Sequence, residues 1–295
     1  MLKQRILTAI ILAPLALAGV FFLPMAWYAI LVGAVSLIGA WEWGAFIAAK
    51  NTDTPEQVKD NGIIRAVFTF SIALLLISFV VVVPVDQIWQ QGQLHPLYLA
   101  ALLIGAVWWL ASMVMVLCYP KSEGFWSQSE FYKGFFGQLT LIPFWVGMMA
   151  TRTYGYENDP LLGGFLILAI FVIVWGADVG AYFVGRQFGR HKLMPKVSPG
   201  KTLEGVAGGV ITALIATLIA NHYFYQIEMT PLLILVVITT IASVFGDLSE
   251  SMFKRSAKIK DSGNILPGHG GILDRIDSLT AAVPLFTLVY LLLVV

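Results

Sequence analysis

The chain has 295 residues, of which 58% are hydrophobic and 12% charged, with a mean hydropathy of +0.82 and a net charge of +1. Soluble domains carry about 25% charged residues, so this composition excludes a soluble globular protein. Many apolar runs reach roughly the 20 residues needed to cross a bilayer as a helix, and the fold class that follows is an all-α polytopic membrane protein. A lone cysteine, Cys118, lies inside an apolar run, which excludes a disulfide framework and a thiolate zinc site.

Taken in chain order, the hydropathy pattern predicts nine spans: residues 6–23, 25–48, 63–85, 97–119, 135–150, 161–185, 203–223, 231–250 and 279–295. The opening Lys3, Arg5 and ILTAIILAPLALAG has the pattern of a signal peptide, with Ala16 and Ala18 mimicking a cleavage site. More spans follow, so an uncleaved first helix is expected. Pro24 leaves almost no loop, and the first two spans form a tight hairpin. Residues 1–160 are read as an N-terminal group of about five transmembrane helices. Residues 161–295 are read as a catalytic transmembrane region with cytoplasmic loops at 186–203 and 252–278. No internal repeat is visible.

Cationic residues report orientation, because short cytoplasmic loops collect Lys and Arg. With nine spans, every Lys and Arg except Arg152 falls on one side, 17 of the 18. That bias supports nine spans with the N-terminus inside and the C-terminus outside. Between Pro120 and Lys133, Phe125, Trp126, Phe131 and Tyr132 mix with charges; they are expected to anchor this segment at the headgroup level.

Charged groups within spans are costly, so they usually face the bundle interior and carry a task. Three carboxylates qualify: Glu42, Asp178 and Asp247. Glu42, between Trp41 and Trp43, reads as an interfacial structural residue. Asp247, Glu250, Ser251 and Lys254 share one helix face at i, i+3, i+4, i+7. Carboxylates there would ligate a metal while Lys254 meets a phosphate; the plainer reading is a Glu250–Lys254 surface pair.

The longest strongly polar stretch runs from Ser251 to Asp277 and holds Lys254, Arg255, Lys258, Lys260 and Arg275 beside Asp261, Asp274 and Asp277. Its glycines, ending in Gly270 and Gly271, suit a backbone that approaches an anion closely. Asp274 and Asp277 fall on one face at the start of the last span. As helix-start acids they would complement the macrodipole; beside five cations and a glycine turn they point instead to a hard-cation site for Mg²⁺. The other basic loop, 186–203, contains PGKT. A Walker A loop needs glycine five residues before Gly200, but Pro195 stands there and no strand is expected ahead of it, so that reading is rejected. Ser198, Lys201, Thr202 and Glu204 remain as anion- or substrate-contacting candidates at a helix start. His269 invites a general-base role, but a phosphate monoester has a second pKa of about 6 and needs no base. A phosphate-contacting or backbone-shaping role suits His269 better.

The run S-x-F-K-R-x₄-K-D-x-G-x₂-L-P-x-H-G-G-x₂-D-R-x-D, from Ser251 to Asp277, resembles the signature of phosphatidate cytidylyltransferases, the CDP-diacylglycerol synthases. GADVGAYFVGRQFGR, from Gly176, and SPGKTLEG, from Ser198, also resemble family segments; Gly200 stands where the family often has lysine. The resemblance covers roughly Trp175 to Ser278. It implies that CTP and phosphatidate give CDP-diacylglycerol and pyrophosphate. It also implies Mg²⁺ on carboxylates matching Asp247 and Asp274, a second cation that can be monovalent such as K⁺, and a homodimer in the bacterial inner membrane.

On that reading Asp247, Asp274 and Asp277 hold metal, and Lys201, Lys254, Arg255, Lys260, His269 and Arg275 form the catalytic set. Asp178, Ser198, Thr202, Glu204, Ser251, Gly270 and Gly271 line the substrates. No nucleic-acid partner is expected. The alternatives are another CTP-dependent lipid enzyme, a polyprenol kinase or an ether-lipid CDP synthase, and an ion-coupled transporter.

Overall fold

A computed structural model describes residues 2–49, 62–225, 227–266 and 270–295, with the backbone alone at 2–9 and 224–225. His269 therefore lies outside the described residues, as do Lys50, Lys59 and most of the polar loop before the third span. Nine long helices run through the described residues. They are α1 (Leu2–Phe22), α2 (Met25–Ala48), α3 (Gly62–Val82), α4 (Pro96–Leu117), α5 (Glu130–Thr153), α6 (Leu162–Phe188), α7 (Leu203–Ala220), α8 (Met229–Ser256) and α9 (Leu273–Leu293). Eight of them are long and apolar enough to cross a membrane, and α1 adds a shorter apolar stretch, Ile10–Phe22. The all-α polytopic expectation holds.

Two helices outrun their apolar stretches. α8 continues past Glu250 to Ser256, and α9 starts at Leu273 rather than Leu279. Hydropathy locates the apolar part of a helix, whereas these extra turns are polar residues that find partners on the neighbouring helix. α8 closes on Lys258, which adopts φ 55, so that the Ile259 amide reaches the Lys254 carbonyl at 3.0 Å. That left-handed turn is a common helix stop.

Among the described residues, strands form two hairpins. β1 (Trp89–Gln90) pairs with β2 (Gln93–Leu94), and β3 (Lys192–Met194) pairs antiparallel with β4 (Ser198–Thr202). The second hairpin corrects the expectation of a basic loop with no strand before PGKT. It is a hairpin and not the strand–loop–helix of a phosphate loop, and Pro195 still occupies the glycine position, so that exclusion stands. Beyond it, α6 and α7 cross on bare backbone: a Cβ at Gly209 would stand 2.7 Å from the Ala177 carbonyl oxygen. Small residues at such crossings let membrane helices approach closely.

The end of the bundle that carries α8's C-terminus rests on an aromatic nest. Phe253, 1% exposed, meets the rings of Trp43 at 4.8 Å and Trp126 at 4.9 Å, with Phe46 and Phe136 behind them. The interfacial expectation for the Pro120–Lys133 segment therefore divides. Phe125, Phe131 and Tyr132 are exposed, but Trp126 is fully buried under α8. Lys133 is buried too, its Nζ donating to the Ala49 carbonyl at 2.7 Å. A cation there satisfies the carbonyl end of α2.

At the opposite end, Arg152 donates to the carbonyls of Val20 (2.7 Å) and Pro160 (3.0 Å). Beside it opens a 710 Å³ cleft lined by Met25, Asp86, Trp89, Tyr154, Tyr156 and Glu157.

The nest yields a stability prediction. Phe253→Ala removes a buried ring, a change that costs about 3–5 kcal/mol in a packed core, whereas Phe131→Ala removes an exposed one. Thermal melts in detergent should show a clear fall in midpoint for the first and none for the second.

Candidate active site

Three segments converge beyond the aromatic nest: the β3–β4 hairpin, the C-terminal turns of α8, and the loop that leads into α9. Arg255 ties two of them, its Nε donating to the Val197 carbonyl at 3.2 Å. Phe253, one residue from Lys254 and buried in the nest, fixes how α8 presents its polar face.

On that face Lys254 is the pivot. Its ammonium lies 2.7 Å from Glu250 Oε2 on the same helix and 2.7 Å from Asp274 Oδ1 on α9. The side chains of Glu250 and Asp274 are only 3% and 6% exposed. The Glu250–Lys254 pair thus exists, but it is buried and shared, and the surface-pair reading is corrected. Asp274 also accepts the amides of Gly271 (2.8 Å) and Ser262 (3.0 Å), which fastens the loop onto α9. Gly270 sits at φ +79, and a Cβ there would press within 2.7 Å of Asp274 Oδ2. Glycine meets both demands.

A second ion pair lies one turn earlier on α8. Lys201, arriving from β4, reaches Asp247 Oδ2 at 2.7 Å, and Ser251 donates to Asp247 Oδ1 at 3.2 Å. Asp277, whose Oδ1 accepts the Ser278 amide, feels the charges of Asp247, Lys254 and Lys201. Asp178, exposed on α6, feels Lys201 and Asp247. The cluster therefore gathers five carboxylates (Asp178, Asp247, Glu250, Asp274, Asp277) around two lysines.

Other predicted residues serve the platform. Thr202 caps α7 by accepting the Gly205 amide at 3.1 Å. Glu204 accepts the amides of Arg190 (3.1 Å) and His191 (3.2 Å) and bonds the His191 ring at 2.6 Å, which pins the hairpin to α7. Ser198 is half-buried on β4, and Lys260 and Arg275 are exposed.

Among the described residues no three acidic, His or Cys groups converge tightly enough to hold a metal alone. Mg²⁺ does not require that, since it is commonly held by one or two carboxylates together with substrate phosphates and water. One buried atom favours a cation: Glu250 Oε1 has no hydrogen-bond partner. An unsatisfied buried carboxylate oxygen beside further acids is an unfavourable arrangement that an added positive charge relieves. The acids fit Mg²⁺.

One residue outside the predicted site set also belongs here. Glu42 on α2 is 1% exposed and accepts the amides of Ile272 (3.1 Å) and Leu273 (2.7 Å) at the start of α9. The interfacial reading is corrected: Glu42 is a buried cap for a helix more than 200 residues away. Its signal was available as a carboxylate inside an apolar helix, but sequence alone did not name its partners.

The profile of the Cytidylyltransferase family matches residues 3–293. The chain is 43% identical to a phosphatidate cytidylyltransferase of Haemophilus influenzae, over 98% of this chain and 99% of that one. It is also 43% identical to one of Pseudomonas aeruginosa, over 97% and 96% of the two chains. A phosphatidate cytidylyltransferase of Bacillus subtilis is 44% identical over 50% of this chain and 55% of its own. With matches of this extent, spanning both the helices of the nest and the acid–lysine cluster, the chain belongs to the cytidylyltransferase family.

Proposed function

We infer that this protein transfers the cytidylyl group of CTP to phosphatidate, forming CDP-diacylglycerol and pyrophosphate. The observation that carries the reading is the cluster of carboxylates and lysines at one end of an apolar bundle. A nucleotide that arrives from water meets a lipid headgroup there while the acyl chains stay in the bilayer. Exposed Trp175, Val179 and Tyr182 flank Asp178 on α6, so this side of the cluster opens toward lipid. The cation bias of the sequence makes this end cytoplasmic, with the N-terminus inside, in the inner membrane of a bacterial cell. A homodimer is the expected assembly.

In the reaction a phosphatidate oxygen attacks the α-phosphorus of CTP. The new P–O bond forms as the α–β bridge breaks, and pyrophosphate leaves with that electron pair. Lys254 and Lys201 stand where charge accumulates; each is already aligned by its acid and loses little freedom when it turns toward a phosphate. Arg255, Lys260 and Arg275 offer donors at the rim for the triphosphate. Asp247, Asp274 and Asp277 are the acids that would hold Mg²⁺, with K⁺ as a candidate second ion. Bound there, the metal neutralises phosphate charge and orients both reactants. Asp247 and Asp277 retain acceptor capacity, whereas the oxygens of Asp274 already serve Lys254, Ser262 and Gly271. Thr202 and Glu204 contribute by shaping the hairpin that carries Ser198 and Lys201.

Four outcomes follow. Purified protein given phosphatidate, Mg²⁺ and each NTP in turn should release pyrophosphate and form a nucleotidyl lipid with CTP; no turnover with any nucleotide would refute the reading. Chelation should abolish the activity and Mg²⁺ restore it. Asp247→Asn keeps the packing and the Ser251 contact, so it should lower kcat by about 10²-fold or more, the scale of losing several kcal/mol of charge stabilisation, with its melting midpoint unchanged. Lys254→Met strands two buried carboxylates, a loss of about 3–5 kcal/mol, and should lower the midpoint as well as the rate.

A further inference from the structure

We propose that Glu42 is a positioning residue for cytidylyl transfer, a strut from the N-terminal helices that sets the register of the loop and helix bearing Asp274 and Asp277. The proposal rests on the functional reading above and goes beyond it, because Glu42 stands outside the signature and outside the predicted set of site residues.

The first element of α9 has no side-chain cap of its own. Its exposed amides are satisfied from α2: Glu42 Oε1 takes Ile272 N at 3.1 Å and Glu42 Oε2 takes Leu273 N at 2.7 Å. A carboxylate so placed satisfies two orphan donors and meets the positive end of the helix. Glu42 Oε2 also receives the Ser262 hydroxyl at 3.4 Å, while the Ser262 amide donates to Asp274 Oδ2 at 3.0 Å. Ser262 thus bridges the strut to the site. The two carboxylates between them grip both ends of the loop: Ser262 where it leaves α8, and Gly271–Leu273 where it enters α9.

Sterics point the same way. A Cβ on Gly263 would run into Glu42 Oε1, and one on Gly271 would stand 2.6 Å from both Glu42 oxygens. Two glycines of the signature loop are therefore shaped to the carboxylate of α2. Arg65 on α3, held by the Trp41 carbonyl at 3.0 Å and stacked over the Trp41 ring, feels the Glu42 charge. A 250 Å³ cleft lined by Trp41, Glu42, Arg65 and Ser262–Ile265 opens beside this contact, between α2, α3 and the loop.

The geometry also says what the conservative change does. Gln at position 42 keeps the volume but turns an NH₂ toward one of the two amides, so that amide loses its acceptor and meets a donor, while the other keeps its bond to the side-chain oxygen. Outer-sphere partners of this kind typically govern about 10–100-fold in activity or metal affinity.

The test combines hydrogen–deuterium exchange with kinetics on the full-length protein in detergent. Glu42→Gln should speed exchange in the peptide that carries Ile272 and Leu273, leave the β3–β4 hairpin at wild-type protection, and lower kcat about tenfold or more. The Mg²⁺ concentration for half-maximal rate should rise with it. Gly271→Ala, which displaces the carboxylate sterically, should reproduce the phenotype. The double variant should be no worse than either single one, as expected for two changes that break one contact. Exchange and kcat both at wild-type values in Glu42→Gln would overturn the proposal. So would exchange that rises across the whole protein with unaltered Mg²⁺ dependence, since that describes a general folding role. Failure of the wild-type protein to form a CDP-lipid would refute the functional reading alone, because the exchange result stands independently of turnover.

Discussion

One ammonium group holds the functional end of this protein together. Lys254 is shared between Glu250 on its own helix and Asp274 on the next, each at 2.7 Å, in a setting that neither acid could occupy alone as a charge. Burying ions is expensive, and a shared cation with further hydrogen bonds is what makes it tolerable. The crossing of α8 and α9 is consequently fixed by polar chemistry at this end, while apolar packing fixes the rest of the bundle. The same arrangement leaves Glu250 Oε1 buried without a hydrogen-bond partner, among further acids. Such a gathering of acids is suited to receive a cation and the phosphates that accompany it.

The helices before residue 160 do more than pass through the membrane. α2 delivers Trp43 and Phe46 to the ring of Phe253, and Glu42 to the start of α9. The segment between α4 and α5 delivers Trp126 to the same ring, and α5 delivers Lys133 to the end of α2. Two side chains of the signature, Phe253 and Lys254, consecutive on α8 and so about 100° apart around it, therefore have distinct tasks. One is an apolar peg in the nest and the other is the pivot of the site. This explains physically why a signature for nucleotide chemistry contains a phenylalanine.

Much of this was legible in the sequence because the relevant signals are one-dimensional. Runs of apolar residues placed the helices, to the residue in the case of α2. The i, i+3, i+4, i+7 spacing of Asp247, Glu250, Ser251 and Lys254 put one polar face on α8, and the Ser251–Asp277 run named the family resemblance. What the sequence withheld depends on partners far apart in the chain. The extra turns of α8 and α9 are polar, so hydropathy ended those helices early. Trp126 has the composition of an interfacial anchor and is distinguished only by Phe253 lying beneath it. Glu42 looked like a headgroup-level acid because its donors, Ile272 and Leu273, are backbone amides that carry no side-chain signal. The β3–β4 hairpin was hidden by Pro195 and Pro199, which argue against strand when read locally.

The central claim is that the acid–lysine cluster supports attack at the α-phosphorus of CTP with pyrophosphate as the leaving group. The most direct measurement is to follow the fate of phosphorus in two CTP samples, one labelled at the α position and one at the γ position, with phosphatidate in mixed micelles. The account predicts that α-label enters the lipid and γ-label leaves entirely as pyrophosphate. Transfer of γ-label to the lipid with release of CDP would contradict it and make the protein a kinase on the same scaffold.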